Sequence, residues 1–234
     1  MRIFASTIIS YLSEWNESMD INPEEMGSYI EGDILFPSAV GRNGLITSSA
    51  RWPSGIVPYM ISPYFSESND IKTSIYFCCI CIKIQTIVND YIRITAGNSG
   101  CWSSVGRIGG WQDVNLQVPG CLAKKGTVIH ELMHAIGFLH EQSRYERDNF
   151  VVIQWNNILN GYDRNFKKVS RETTNDFGIG YDYGSVMHYS SYAFSKNGQP
   201  TIIPKVSGKL GQREGFSKRD IQKIRRMYKC NQGL

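Results

Sequence analysis

Between residues 130 and 140 the chain reads "HELMHAIGFLH", three histidines and a glutamate set in apolar, helix-like sequence. Such groups are costly to bury singly, so a segment that collects them must use them together. His130 and His134 are four residues apart, which on an α-helix places them on one face, one turn from each other. Two neutral imidazoles there can share one metal ion. Glu131 projects about 100° away, along the edge of that face, and can serve a reacting water without being a ligand. Gly137 ends the helix and lets the chain turn back, so His140 can bring a third nitrogen to the same ion. Three protein ligands and one open position make a catalytic zinc site rather than a closed structural one. The bland reading, ordinary helix residues, fails on count: the chain has four histidines, and three fall in this pattern.

Everything else must fit around that site. With 234 residues, 41% hydrophobic and 20% charged, the chain has enough apolar sequence for a real core. A net charge of +4, dispersed along the chain, does not suggest a nucleic-acid partner. No run of eighteen apolar residues exists, so no membrane span is expected. At the N-terminus, Arg2 and the apolar run after it resemble the start of a secretory signal, but the run is short and no small-x-small cleavage site follows. Six cysteines (78, 79, 81, 101, 121 and 230) suit disulfides in an oxidising compartment, and their spacing does not suit a zinc knuckle. Residues 1–42 are acidic and weakly periodic, with few regular elements expected. They carry a glycosylation sequon, Asn16-Glu17-Ser18, usable only if the chain is secreted.

Strands are predicted at 55–61, 90–95 and 113–118, the last with Val114, Leu116 and Val118 on one face. A helix is expected between the first two, at 71–88, although that Ile-rich stretch shows no helical stripe. A second helix is predicted over 124–140, with Thr127 as N-cap and Gly137 as its stop. A last helix begins at Ser217, with a Ser217–Asp220 capping box, and ends at Cys230. Its many Lys and Arg read as a solvated face.

The zinc pattern, extended through Glu141, Arg144, Arg147 and Asp148, resembles the signature of the astacin family of metzincin proteases. "SVMHY" (185–189) resembles that family's Met-turn. "WPSGIVPY" (52–59), "GCWSSVGR" (100–107) and "MYKC" (227–230) resemble it too, so the likeness covers nearly all of 43–230. It implies an α+β, two-lobed metzincin-type catalytic domain over 43–234, with the active-site cleft between the lobes. A short irregular propeptide, with a possible signal remnant, would occupy 1–42. It also implies a secreted zinc endopeptidase holding one Zn2+ per chain and acting on protein or peptide substrates. His130, His134 and His140 match the zinc ligands and Glu131 the general base. Met187 matches the methionine beneath the metal. Tyr189 matches a tyrosine that can ligate zinc and swing to stabilise the transition state. Substrate would pair with an edge strand near Cys101 to Val105.

The same resemblance reads the leader as an inhibitor. "YIEGDI" (29–34) is similar to the F-x-G-D propeptide motif, with Ile30 in place of Phe, so Asp33 would take the open zinc position. A trypsin-like protease would activate the chain by cutting at Arg42-Asn43, and the freed ammonium of Asn43 would meet Glu141. Expected disulfides are Cys101–Cys121 and Cys79–Cys230, leaving Cys78 and Cys81 over. Arg213, in a Gly-rich loop, would line the pocket for the residue after the scissile bond and favour acidic side chains; otherwise it is a surface arginine. The sequence departs from the family at 71–88, which is short by several residues and strand-like. That departure keeps a second reading open: a non-catalytic secreted protein, a defective protease copy, that binds zinc and peptides. The intact Glu131 argues against it, because a binding site has no need for a base.

Overall fold

The computed structural model describes residues 15–16, 18–19, 21–36, 48–65, 81–84, 88–172 and 174–230. Seven strands and two α-helices are found among them: β1 (Ile56–Ile61), β2 (Cys81–Ile84), β3 (Tyr91–Thr95), β4 (Cys101–Ser103), β5 (Trp111–Leu116), α1 (Lys125–Ala135), β6 (Val151–Ile153), β7 (Ile202–Pro204) and α2 (Lys218–Met227).

The five-stranded sheet runs β2-β1-β3-β5-β4. β2, β1, β3 and β5 are parallel; β4 lies antiparallel to β5 at the edge, with Ser103 opposite Val114. Alternation puts Ile92, Ile94, Val114 and Leu116 into the core, where they meet Leu132 and Met133 of α1. Gly126 to Ala135 are all buried, so α1 is enclosed on every side rather than along a stripe. A second cluster forms around Val151, Ile153, Phe166, Tyr189, Phe194 and Ile202, beside the β6–β7 pair. The chain therefore has two apolar centres, in keeping with the two lobes expected.

Three local expectations need correction. The N-cap of α1 is Lys124, not Thr127, which lies inside the helix with its hydroxyl turned to Glu24 at 3.4 Å. Within 71–88, residues 81–84 form strand β2, not helix; their backbone pairs in parallel with β1, and that partner decides what a short apolar run without a helical stripe becomes. The rest of that segment up to residue 87 lies outside the described residues. The third correction concerns α2, which is not wholly a solvated face: Lys223 is only 4% exposed.

Two glycines set the chain's path at the site. Gly137 takes φ 112° after α1, where a Cβ would meet Met227 Cε at 2.7 Å. Gly32 takes φ 89°, and a Cβ there would strike Glu24 O and Phe194 at 2.9 Å. Cys101 and Cys121 form a disulfide. Cys230 is also disulfide-bonded; Cys79, its expected partner, lies outside the described residues.

Candidate metal centre

α1 carries His130 and His134 on one face, and the turn at Gly137 brings His140 back to them. Each imidazole is fixed through Nδ1, which donates to Val186 O in His130, to Phe138 O in His134 and to Glu31 Oε2 in His140, all at 2.7 Å. These donations put the proton on Nδ1 and turn three Nε2 lone pairs toward one point. His130 Nε2 and His140 Nε2 are 3.2 Å apart. Two nitrogens held ~2.0–2.1 Å from one tetrahedral ion would be separated by about 3.3 Å.

Asp33 enters this space from the leader. Its Oδ2 is 3.0 Å from His130 Nε2 and 3.2 Å from His140 Nε2, and its Oδ1 is 3.6 Å from His134 Nε2. All four residues are buried, and their ligand atoms lie within 4.8 Å of one another. Asp33 Oδ1 and His134 Nε2 have no hydrogen-bond partner. A carboxylate facing imidazole lone pairs at such distances is stable only if positive charge sits among them. The protein's own electrostatics show the same demand. Burial opposes a charge on His140, but Asp33 and Glu31 draw its pKa up to about 10; burial and Arg213 hold His130 down at about 4. Asp33, despite burial, is held well below the usual carboxylate range by His140 and His134. The donor set therefore fits a divalent cation, and three nitrogens with one oxygen suit zinc.

Glu131 lies beside the ligands, fully buried, with neither carboxylate oxygen partnered. Burial, reinforced by Asp33, raises its pKa well above the usual range. Tyr189 is buried at the border of the second cluster, its ring centroid 4.7 Å from His140. Its hydroxyl donates to Glu31 O at 2.5 Å. Burial, then the nearby Glu31 and Asp33, push the phenol well above its ordinary value, so it is a neutral donor.

The Met-turn is pinned from α2. Asp220 accepts from Ser185 Oγ at 2.6 Å and Val186 N at 2.9 Å, and Met187 O accepts from Glu141 N at 3.0 Å. Met187 is buried in the first cluster. Glu141, where the ammonium of Asn43 was expected, has other partners: Lys223 Nζ at 2.6 Å, Asp182 N at 2.8 Å and Arg144 Nη1 at 3.1 Å. Burial alone would raise its pKa, but Lys223 and Arg144 hold it below the ordinary value.

The leader also covers the cleft on both sides of Asp33. Leu35 N donates to Ser103 O and Ser103 N to Asp33 O, both at 2.9 Å, so the leader lies parallel along the edge of β4, where substrate was expected. Pro23–Met26 form a short 3₁₀ turn whose acids are buried. Glu24 pairs with Arg213, and Glu25 takes Ser190 N and Ser190 Oγ at 2.6 Å each. Arg213 is thus no surface residue: it is 3% exposed and also donates to His188 O at 3.1 Å.

Sequence reasoning missed four of these residues. Glu31 stands two positions before Asp33, and its acidity inside the leader motif was the available signal. Glu24 and Glu25 sit in a visibly acidic leader, but nothing local says which acids are buried. Lys223 carries no signal, because a lysine in a basic helix reads as solvated.

A family model described as "Astacin", a peptidase family, matches residues 45–229. Zinc metalloproteinase nas-4 of Caenorhabditis elegans is 39% identical over 224 residues, covering 88% of this chain and 70% of that protein. Zinc metalloproteinase nas-15 of the same organism is 45% identical over 187 residues, but the chain spans only 32% of it. Among solved structures, High choriolytic enzyme 1 of Oryzias latipes, a hatching enzyme zinc-protease, superposes with a TM-score of 0.71 at 36% identity. That match covers 77% of this chain and 94% of the enzyme. With three imidazoles converging from a zinc helix and a following turn, and with these matches across the catalytic region, the chain belongs to the astacin family of zinc metalloendopeptidases.

Proposed function

We propose that this chain is a secreted zinc endopeptidase made as a zymogen, held latent by its own leader. The observation that carries the reading is the Asp33 carboxylate seated among His130, His134 and His140, next to the unpartnered carboxylate of Glu131. Leader removal, by a trypsin-like cut at Arg42-Asn43, would empty the fourth position. Those two residues lie outside the described ones.

Zinc bound by the three histidines would polarise the scissile carbonyl and acidify a water to a pKa of about 7. Glu131, beside His130, accepts that water's proton and delivers it to the leaving amine. Its buried setting suits a base whose proton must move on again. Tyr189 Oη, freed from Glu31 O, donates to the developing oxyanion. The edge of β4, freed of residues 33–35, takes extended substrate by backbone pairing. Arg213, freed of Glu24, grips an acidic side chain after the scissile bond, with two parallel hydrogen bonds available from its guanidinium. Met187 and Glu141 keep the ligand loop in place from beneath.

The test is direct. After tryptic activation the protein should contain one zinc and hydrolyse denatured protein. Glu131→Gln should keep the zinc and lose activity by about 10²–10⁴-fold, the usual weight of a general base. Zinc-loaded Glu131→Gln with full turnover would remove Glu131 from the mechanism. Zinc without turnover in the activated wild type would leave a zinc-binding protein only.

A further inference from the structure

In this family reading, activation does two things: it clears the zinc, and it creates an ammonium expected to meet Glu141. The second need is already met inside the uncut chain. The Glu141 carboxylate receives three donors: Lys223 Nζ on Oε2, and Arg144 Nη1 and the Asp182 amide on Oε1. Lys223 is 4% exposed and Glu141 is 4% exposed, so the pair is internal rather than a surface contact. A buried carboxylate with two cations and an amide on it has its charge compensated. A third cation brought to the same place would face the two already there.

The rest of the ligand loop is also braced without a new terminus. On α2, one turn before Lys223, Asp220 holds Ser185 and Val186 of the Met-turn. Ser217, the N-cap of α2, donates to Asp182 at 2.5 Å, and the amide of that same Asp182 donates to Glu141. Glu141 N donates to Met187 O. One helix thus ties together Glu141, the turn at 185–187 and the preceding loop at Asp182.

We infer that Lys223 is a positioning residue: it supplies from α2 the positive charge that Glu141 needs, and so frees the catalytic geometry from the terminus that activation creates. The inference rests on the endopeptidase reading for its activity readout alone. Its consequence is that this enzyme tolerates imprecise activation. A cut some residues away from Arg42-Asn43 leaves the His140–Glu141 segment where it is, provided Asp33 departs.

The experiment is a series of full chains in which a sequence-specific protease other than trypsin releases a terminus at Asn43, or one, two or four residues upstream. Each cut form is read by kcat/KM on an internally quenched peptide and by thermal midpoint. For the wild type, kcat/KM should stay within about twofold along the series. Lys223→Met keeps the aliphatic stem and removes the charge. Its activity should depend on the terminus, highest at Asn43 and at least about tenfold lower when extended. Lys223→Arg should restore indifference to length. A wild type that loses about tenfold on extension by one residue overturns the inference, and so does a Lys223→Met series as flat as the wild type. Should Lys223→Met fail to fold, the wild-type series decides alone. Should no cut form hydrolyse peptide, the endopeptidase reading fails, and the wild-type midpoints decide this one: constant along the series in support, falling with extension against.

Discussion

Each side chain at the centre is defined by what its other atoms touch. Tyr189 is an example: its phenol is neutral, buried and committed to Glu31 O. If it donates only to the developing oxyanion, Tyr189→Phe in the activated enzyme should lower kcat by about 10²-fold and leave KM nearly unchanged. A raised KM at constant kcat would make it a ground-state contact. Arg213 offers a sharper test because its partner is known. Arg213→Glu should shift the preference after the scissile bond from acidic to basic residues in a peptide-library profile. Superimposable profiles from the two enzymes would place Arg213 outside the pocket. In the uncut chain the same reversal brings a third acid to Glu24 and Glu25, so the leader should also come off more readily.

At the level of elements, the leader works as two anchors, the Pro23–Met26 turn and the loop at 29–34. If the second anchor enforces latency, Asp33→Ala should make the uncut chain leaky. With Arg42→Ala present to block processing, peptide hydrolysis should rise above that of Arg42→Ala alone. No rise would mean that latency rests on the leader's bulk. The first anchor carries a pH term. Burial, with Glu24 beside it, raises the Glu25 pKa above 4.5 against the pull of Arg213. Docking therefore takes up protons, and the Glu25 contribution weakens as pH rises from 4.5 through the raised value. Two synthetic peptides spanning 21–36, native and Glu25→Gln, can be bound to the leader-free enzyme at several pH values. The ratio of their dissociation constants, native over variant, should rise with pH; a flat ratio would mean that Glu25 ionises alike bound and free. α2 is the third element at work. Asp220→Asn cannot accept from Ser185, Val186 and Ser217 together, and should cost about 1–3 kcal/mol of stability.

On the scale of the molecule, Asp33 of the leader shares one candidate metal site with His130, His134 and His140 of the catalytic region. Removing zinc by chelation should lower the thermal midpoint of the uncut chain, since whatever binds only the folded state stabilises it. If Asp33 is a ligand, the drop should be larger in the wild type than in Asp33→Ala, which lacks that carboxylate. Equal drops would mean that Asp33 does not contribute to holding the metal. How much of this was legible in the sequence follows from separation along the chain. The zinc helix, the turn at Gly137 and the α2 capping box are set by neighbours within a few residues, so spacing alone exposed His130, His134, His140 and Ser217–Asp220. β1, β3 and β5 were legible to within about two residues from β-branched or alternating sequence, whereas the short β6 and β7 gave no such signal. The 81–84 strand was misread, because a short apolar run fits helix or strand until a partner strand chooses between them. Asp33 and Arg213 were reachable only by resemblance, and resemblance alone did not tell that Arg213 is buried against Glu24. The Lys223–Glu141 pair joins residues 82 positions apart, and Glu31 reaches His140 across 109. Nothing near either residue in sequence specifies that meeting. By itself, then, the sequence determined which groups could hold zinc, because helical geometry acts over one turn. Tertiary packing alone decided which acids are buried and which cation answers each, because burial and charge pairing depend on where distant segments come to rest.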